Sequence, residues 1–235
     1  MNPPNPQELL LDARRQRVDE VVAHRTRRLV VVLEDLEDPH NIAAVLRTCE
    51  GLGVQEIHGI TRGHSFHPSP RITMGAEKWL DLHLHRDTPS CLAQLKERGF
   101  LVCATDLGEG AGSLLDLPLD KPLAIVFGTE KVGITEQVRE HCDLRFKIPM
   151  YGFSQSLNIS VAAAVCISHL VFARLERGLD ASLPAGEQAA LRERFYALSV
   201  KQRHRLFPEC GARPRSFHSV NSSSQAASDR PKDRP

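Results

Sequence analysis

Three stretches of the chain gather residue types that can hold a ligand, orient a hydroxyl or move a proton. The first is EDPHNIAAVLRTCEGLG at 37–53. Pro39 breaks the preceding run, and Asn41 stands where a helical pattern begins. Its side chain could simply cap that helix. Arg47 follows six residues on, beside Ala44, Val45 and Leu46. An arginine among apolar neighbours needs a partner or a cavity. An ion pair within the fold and a phosphate or carboxylate ligand both meet that need. The second stretch is FGTEKVGI at 127–134. Gly128 directly after an apolar run lets backbone approach a ligand closely. Glu130 could be a ligand, a base or an acceptor that stabilises the loop. The third is IPMYGFSQSLNISVAAA at 148–164, with Ser154, Gln155, Ser156 and Asn158 in a polar loop. Ser156 or Asn158 could cap the helix that follows, and the small residues beyond permit close packing.

Familiar phosphate loops do not account for these stretches. FGTEKVGI has the Walker frame of two glycines but lacks Lys-Ser/Thr after the second, and it is not G-x-G-x-x-G. Neither the flanks nor the loops offer a Ser-His-Asp set.

The elements that must position these loops read as strands alternating with helices. LVVVLEDL from Leu29, VQEIHGI, WLDLHLH, FLVCATDL, PLAIVF and LRFKIPM are strand-like runs. Residues 42–51, 90–99, 135–142 and 159–178 carry helical spacing. Residues 8–28 and 187–206 read as further helices, both basic. Residues 61–75 and 107–118 read as loops. The pattern predicts an α/β fold with a mainly parallel sheet and helices on both faces. In such sheets ligands bind beyond the carboxyl ends of the strands, where the three stretches fall. The expected organisation is a basic helical extension at 1–28, a central α/β domain at 29–179, a basic helix at 187–210 and a disordered tail at 211–235, rich in Ser, Arg, Pro, Lys and Asp.

Composition removes several classes. The 235 residues are 41% hydrophobic and 25% charged, as in a soluble domain, with only 5% aromatic. The most apolar stretch, 159–173, is interrupted by Ser160, Ser168 and His169 and falls short of a membrane span. MNPPNPQELL is not a secretory signal. Six cysteines at 49, 91, 103, 142, 166 and 210 show no CxxC spacing and read as buried free thiols of a reducing cytoplasm. His83 and His85 could reach one metal from one strand face, but no third ligand stands near them in sequence. They read as ordinary strand histidines.

The net charge of +1 is unevenly divided. Residues 1–28 carry +2 and 186–218 carry +4, while 29–185 carry −6. Basic flanks around an acidic middle fit either a polyanion docked by the flanks or two solvated helical faces.

Taken in order, Asn-x5-Arg after the first strand, FGxE-x2-G, and IPM followed by SLN-x-S-x-A-x-A resemble the SPOUT superfamily of RNA methyltransferases. Within it they are most similar to the TrmH group, which methylates the ribose 2′-hydroxyl of guanosine 18 in tRNA. GAEKW at 75–79 and LKERGF at 95–100 extend the likeness, which spans roughly 14–178. Tyr151, Phe153 and Ser154 depart from it, in a loop where relatives often carry Gly-Met-Val-like residues.

The resemblance implies a catalytic set of Arg47, Asn41, Glu130, Ser156 and Asn158. It also implies an S-adenosylmethionine pocket touching Thr105, Gly128, Ile148 and Leu157. It implies a C-terminal trefoil knot, a homodimer built around the knot, and a cytoplasmic enzyme with no membrane attachment. A sulfonium methyl is reactive enough to need no metal. Arg47 would either clamp a phosphate and orient the hydroxyl, or accept its proton. On this reading the basic flanks hold tRNA, with Arg14, Arg15 and Arg17 contributing about equally. A ribosomal RNA methyltransferase and a catalytically silent RNA-binding module on the same scaffold remain as alternatives.

Overall fold

The Leu-Val-Val-Val-Leu run at 29–33 is apolar at every position because it is covered on both sides. It forms the interior of β1 (Thr26–Glu34). The computed structural model describes residues 5–63, 66–129, 132–179 and 182–200. After α1 (Asp12–Ala23) and β1 come α2 (Pro39–Gly51), β2 (Val54–Ile60), α3 (Pro70–Thr73), β3 (Asp81–His85), α4 (Thr88–Glu97) and β4 (Leu101–Thr105). Then follow β5 (Gly112–Ser113), β6 (Leu123–Phe127), α5 (Glu136–His141), β7 (Leu144–Lys147), α6 (Ile159–Glu176) and α7 (Ala185–Ser199). The strands form one sheet in the order β3-β2-β1-β6-β4-β7-β5. Every pairing is parallel.

Successive residues of a strand point to opposite faces, and the two cores divide accordingly. Leu29, Val31 and Leu33 of β1, with Leu123, Ile125 and Phe127 of β6, pack against α2 and α6. Val30, Val32, Ala124 and Val126 pack against α4 and α5 through Cys91, Leu92, Leu95 and Val138. The α/β reading, with helices on both faces, is the observed architecture. Cys49, Cys91, Cys103 and Cys166 are buried free thiols and Cys142 is partly buried; Cys210 lies outside the described residues. By length and composition α6 is, after all, apolar enough to cross a membrane. Here it is a core helix, burying Ile159, Ala163, Cys166, Ile167 and Leu170 against the sheet and α2.

The helix expected over 8–28 is shorter. A 3-10 turn occupies Pro6–Leu9, α1 ends at Ala23, and β1 already begins at Thr26. Glycine terminates no part of it. Instead Arg25 N bonds back to Val22 O at 3.2 Å, and the chain enters the sheet at Thr26, whose N donates to Gly53 O at 2.9 Å. The loop read at 61–75 contains α3, and the one at 107–118 contains β5 and a 3-10 turn at Leu114–Asp116. The tail expected to be disordered lies outside the described residues, as does the helix beyond residue 200.

The two flanks are not separate appendages, because they share a core. Val18 and Val22 of α1 pack with Leu191, Phe195, Tyr196 and Leu198 of α7. Trp79 meets Phe195 edge-on at 5.0 Å. Asp19 Oδ1 accepts from Arg192 Nε at 2.6 Å and from the Tyr196 hydroxyl at 2.8 Å. Phe195→Ala should therefore cost about 3–5 kcal/mol, the range for emptying a buried aromatic site, read as a lowered denaturation midpoint. A loss below ~1 kcal/mol would show that α7 does not hold α1 in place.

Candidate active site

The carboxyl ends of β4, β6 and β7 and the start of α6 enclose a cleft of about 630 Å³. Thr105, Gly128, Ile148, Ser156, Leu157 and Asn158 all line it. Six residues singled out from the sequence therefore meet in one place, drawn from three loops.

Its floor is backbone. Behind Gly128 the chain folds back, and Thr129 and Gly133 exchange hydrogen bonds of 3.0 and 2.9 Å. Gly133 takes φ +68° to make the return. A Cβ on Gly128 would sit 2.1 Å from Gly133 O. The Thr105 hydroxyl is already spent, donating to Val126 O at 3.1 Å. What Thr105 can offer a ligand is shape and a methyl group.

Asn158 both caps and connects. Its Oδ1 accepts from Ser160 N at 2.9 Å and Ser160 Oγ at 2.6 Å, so the helix-capping role is real. Its Nδ2 donates to Asn41 Oδ1 at 3.3 Å, which ties the third stretch to the first. The capping role considered for Asn41 belongs instead to Asp38, whose Oδ1 accepts from His40 N at 3.0 Å. With Asp38 capping α2, Asn41 lies inside the first turn and faces Asn158.

Arg47 is not held in an apolar face. The helix turns it outward, where it is exposed and donates to Ile72 O at 3.4 Å. It is not among the residues lining the cleft. Glu130 lies outside the described residues. Arg14 and Arg17 are exposed on α1. Arg15 is drawn inward by Asp12 and by the Gln7 and Leu10 carbonyls.

Two carboxylates that the sequence reading missed stand at the cleft: Asp106 lines it, and Glu34, outside the lining, fastens the end of the turn behind Gly128. Asp106, buried just after β4, accepts from Arg145 Nη1 at 3.0 Å, Gly108 N at 3.2 Å and Arg139 Nε at 3.3 Å. Burial pushes its pKa up, but the bonds from Arg139, Gly108 and Arg145 outweigh that and hold it below the usual carboxylate range. Glu34, 1% exposed at the end of β1, accepts from Thr88 Oγ1 and Thr135 Oγ1 at 2.7 Å, Thr135 N at 3.0 Å and Arg62 Nη2 at 3.1 Å. The available signal was an acid closing an otherwise apolar strand run. The partners, scattered over 101 residues of sequence, gave none.

Because the floor leaves no space for a side chain, Gly128→Ala must displace the 129–134 turn. Affinity for a ligand of this cleft should fall about 10-fold or more, an amount set by the ~1–3 kcal/mol cost of overpacking. Titration calorimetry with S-adenosylmethionine checks this, and unchanged affinity would remove the turn from the binding site.

Comparison with known proteins supplies an independent finding. The sequence profile of the SpoU rRNA Methylase family matches residues 28–168. The chain is 42% identical over 168 residues to the tRNA (guanosine(18)-2′-O)-methyltransferase of Thermus thermophilus, covering 72% of this chain and 87% of that one. It is 34% identical over 194 residues to the enzyme of the same name from Borreliella burgdorferi, covering 83% and 89%. The crystal structure of the TrmH/SpoU tRNA modifying enzyme of A. aeolicus superposes with a TM-score of 0.73 at 29% identity, over 81% of this chain and 98% of that one. A matched sheet, a cleft at its carboxyl edge and these likenesses lead to one conclusion: the chain belongs to the SpoU methylase family.

Proposed function

We propose that this protein transfers the methyl group of S-adenosylmethionine to a ribose 2′-hydroxyl of tRNA, at guanosine 18. The observation that carries the reading is the cleft itself, which collects residues of the second and third stretches at the carboxyl edge of the sheet, with the first stretch joined to it through the Asn158–Asn41 bond. The residues present suit the methyl donor. Leu107, Val132, Ile148, Met150 and Leu157 give an apolar wall for a flat base. The backbone at Gly128 gives close approach, and polar groups at Gln155, Ser156 and Asn158 border the other side.

In the transfer, the ribose oxygen attacks the methyl carbon. The C–S bond breaks as the O–C bond forms, its electron pair stays on sulfur, and the hydroxyl proton passes to solvent water. Such a displacement gains most from alignment of the two reactants. Asn158 and Asn41, joined side chain to side chain, stand at the end of the cleft and would orient the entering ribose. An exposed guanidinium is suited to clamp a phosphate with paired hydrogen bonds. We therefore assign Arg47 the orienting role rather than that of base.

We extend the reading to assembly and place. The chain leaves β7, passes through 148–158 and returns to pack α6 against α2, a path we read as the trefoil knot. α6 also carries Val161, Val165, Phe172 and Leu175 on its exposed side, with Tyr151 and Phe153 exposed beside its start. A row of bare apolar groups on a core helix supports a homodimer in which this side is covered. A tRNA substrate supports a cytoplasmic location. The ribosomal RNA alternative is less favoured, because the relatives that the chain covers over most of their length are named for tRNA.

The test is single-turnover methyl transfer to tRNA with the modified ribose mapped. Methylation at guanosine 18 is expected, and modification only of ribosomal RNA would overturn the tRNA assignment. Arg47→Ala should lower the rate about 100-fold or more while S-adenosylmethionine affinity stays near its original value. Near-normal turnover would remove Arg47 from the reaction.

Salt dependence tests the flanks. Arg14 makes no ion pair among the described residues, whereas Arg15 is paired with Asp12 and Arg17 with Glu20. Arg14→Gln should reduce the slope of log affinity for tRNA against log salt by about 1. Arg15→Gln should change it little. Equal effects would restore the expectation that all three act alike.

A further inference from the structure

A cluster remote in role from the cleft joins β2, β3 and the first turn of α4. The parallel register sets His58 beside His83, with His85 two residues on. His58 Nδ1 lies 2.8 Å from His85 Nε2. Cys91, fully buried on α4, brings its thiol to the same place, and the three ligand atoms all lie within 4.8 Å of one another. We propose that His58, His85 and Cys91 form a site for one soft divalent cation, with zinc as the fitting ion. Two imidazole nitrogens and one thiolate are the donors zinc prefers, and the fourth position is left for water.

The surroundings favour a metal over a plain histidine pair. The far nitrogen of His58, Nε2, donates to Glu56 Oε1 at 2.8 Å. A carboxylate behind an imidazole in this way fixes the ring, leaves the opposite nitrogen bare and raises its basicity, as behind most metal-bound histidines. Glu56 is itself secured by Arg98 Nη2 at 2.9 Å and Arg27 Nη1 at 3.1 Å. With its oxygens taken by His58 and the two arginines, Glu56 orients His58 rather than serving as a free ligand. That argues against the neighbouring trio of Glu56, His58 and His83, in which the ion would have to displace those arginines.

The fit needs small movements. Ideal zinc bonds of about 2.0–2.3 Å imply ligand atoms ~3.3–3.6 Å apart. The two rings must open by about half an ångström and the thiol swing inward. On binding, the Cys91 S–H proton leaves to solvent, the sulfur forms the metal bond as thiolate, and no electron is transferred. The result is a fastening of α4 to the sheet edge. It is independent of the methyl transfer, which needs no metal.

The full chain should be stripped with chelator, exposed to zinc alone, dialysed and assayed for bound metal and melting temperature. One zinc per chain and a raised Tm are expected. Loading with cobalt(II) instead should produce thiolate-to-metal charge-transfer absorption, which reads sulfur ligation without any substitution. Cys91→Ser and His85→Gln should each weaken zinc binding about 10-fold or more, with methyl transfer unchanged. Substoichiometric zinc, absence of the charge-transfer band, or zinc retained equally by both variants would overturn the proposal. The last result would place the ion elsewhere.

Discussion

A carboxylate taken out of water at the end of the central strand is the constraint that fixes the segments after β2, at the start of α4 and before α5. An isolated buried charge is costly enough that a protein keeps one only when donors surround it. Glu34 meets that demand with side chains from three separate places: Arg62 after β2, Thr88 at the start of α4, and Thr135 with its own amide before α5. Each donor fixes a loop. Thr135 also caps α5, so the turn that folds behind Gly128 is anchored at its far end by the same oxygens. Asp35, next along, takes φ +49°, a conformation a non-glycine residue adopts only when its surroundings impose it. Its carboxylate binds Arg62 at Nε and at the backbone amide, closing the network.

Much of this was legible in the chain, and the limits have physical reasons. Apolar runs bounded by breakers revealed six of the strands, because a strand covered on both faces can tolerate almost no polar residue. β5, two residues long, has no pattern to show. The three chemical stretches were found by their local oddity, and the cleft brings residues of the second and third together, with the first tied in only through Asn41. Arg47 was misplaced because its apolar neighbours in sequence are not its neighbours on the helix, where each residue turns about 100° from the last. Asp106 and Glu34 were passed over for the opposite reason. Their meaning lies in partners far along the chain, and no spacing rule links them. His58 escaped notice beside His83 and His85 because register between strands is a tertiary fact.

The charge argument survives in reduced form. Summed by segment, both flanks are basic, yet much of that charge is spent inside the fold. Arg25 pairs with Glu50, Arg27 with Glu56, Asp81 and Glu187, Arg192 with Asp19, and Arg194 with Asp81. These pairs weld α1 and α7 to each other and to the β2–β3 edge. On α1 itself, Arg14 is what remains for a polyanion, since Arg15 and Arg17 are paired with Asp12 and Glu20. Net charge per segment measures composition, while the field felt by a partner depends on which charges are already answered.

The order of the strands carries a consequence for the birth of the molecule. β1, β2 and β3 leave the ribosome first and can begin to pair as neighbours. The other flank of β1 stays bare until β6 arrives, some ninety residues later by the register Leu29 to Leu123. Thr135 must follow before Glu34 has its full set of donors, 101 residues after the carboxylate itself was made. Until that moment the acid has every reason to remain in water, holding the end of β1 open. Assembly dominated by such distant contacts is slow. The nascent chain therefore offers chaperones the unpaired Leu29–Leu33 edge of β1 until β6 is made, and the pocket cannot form until the start of α6 has followed.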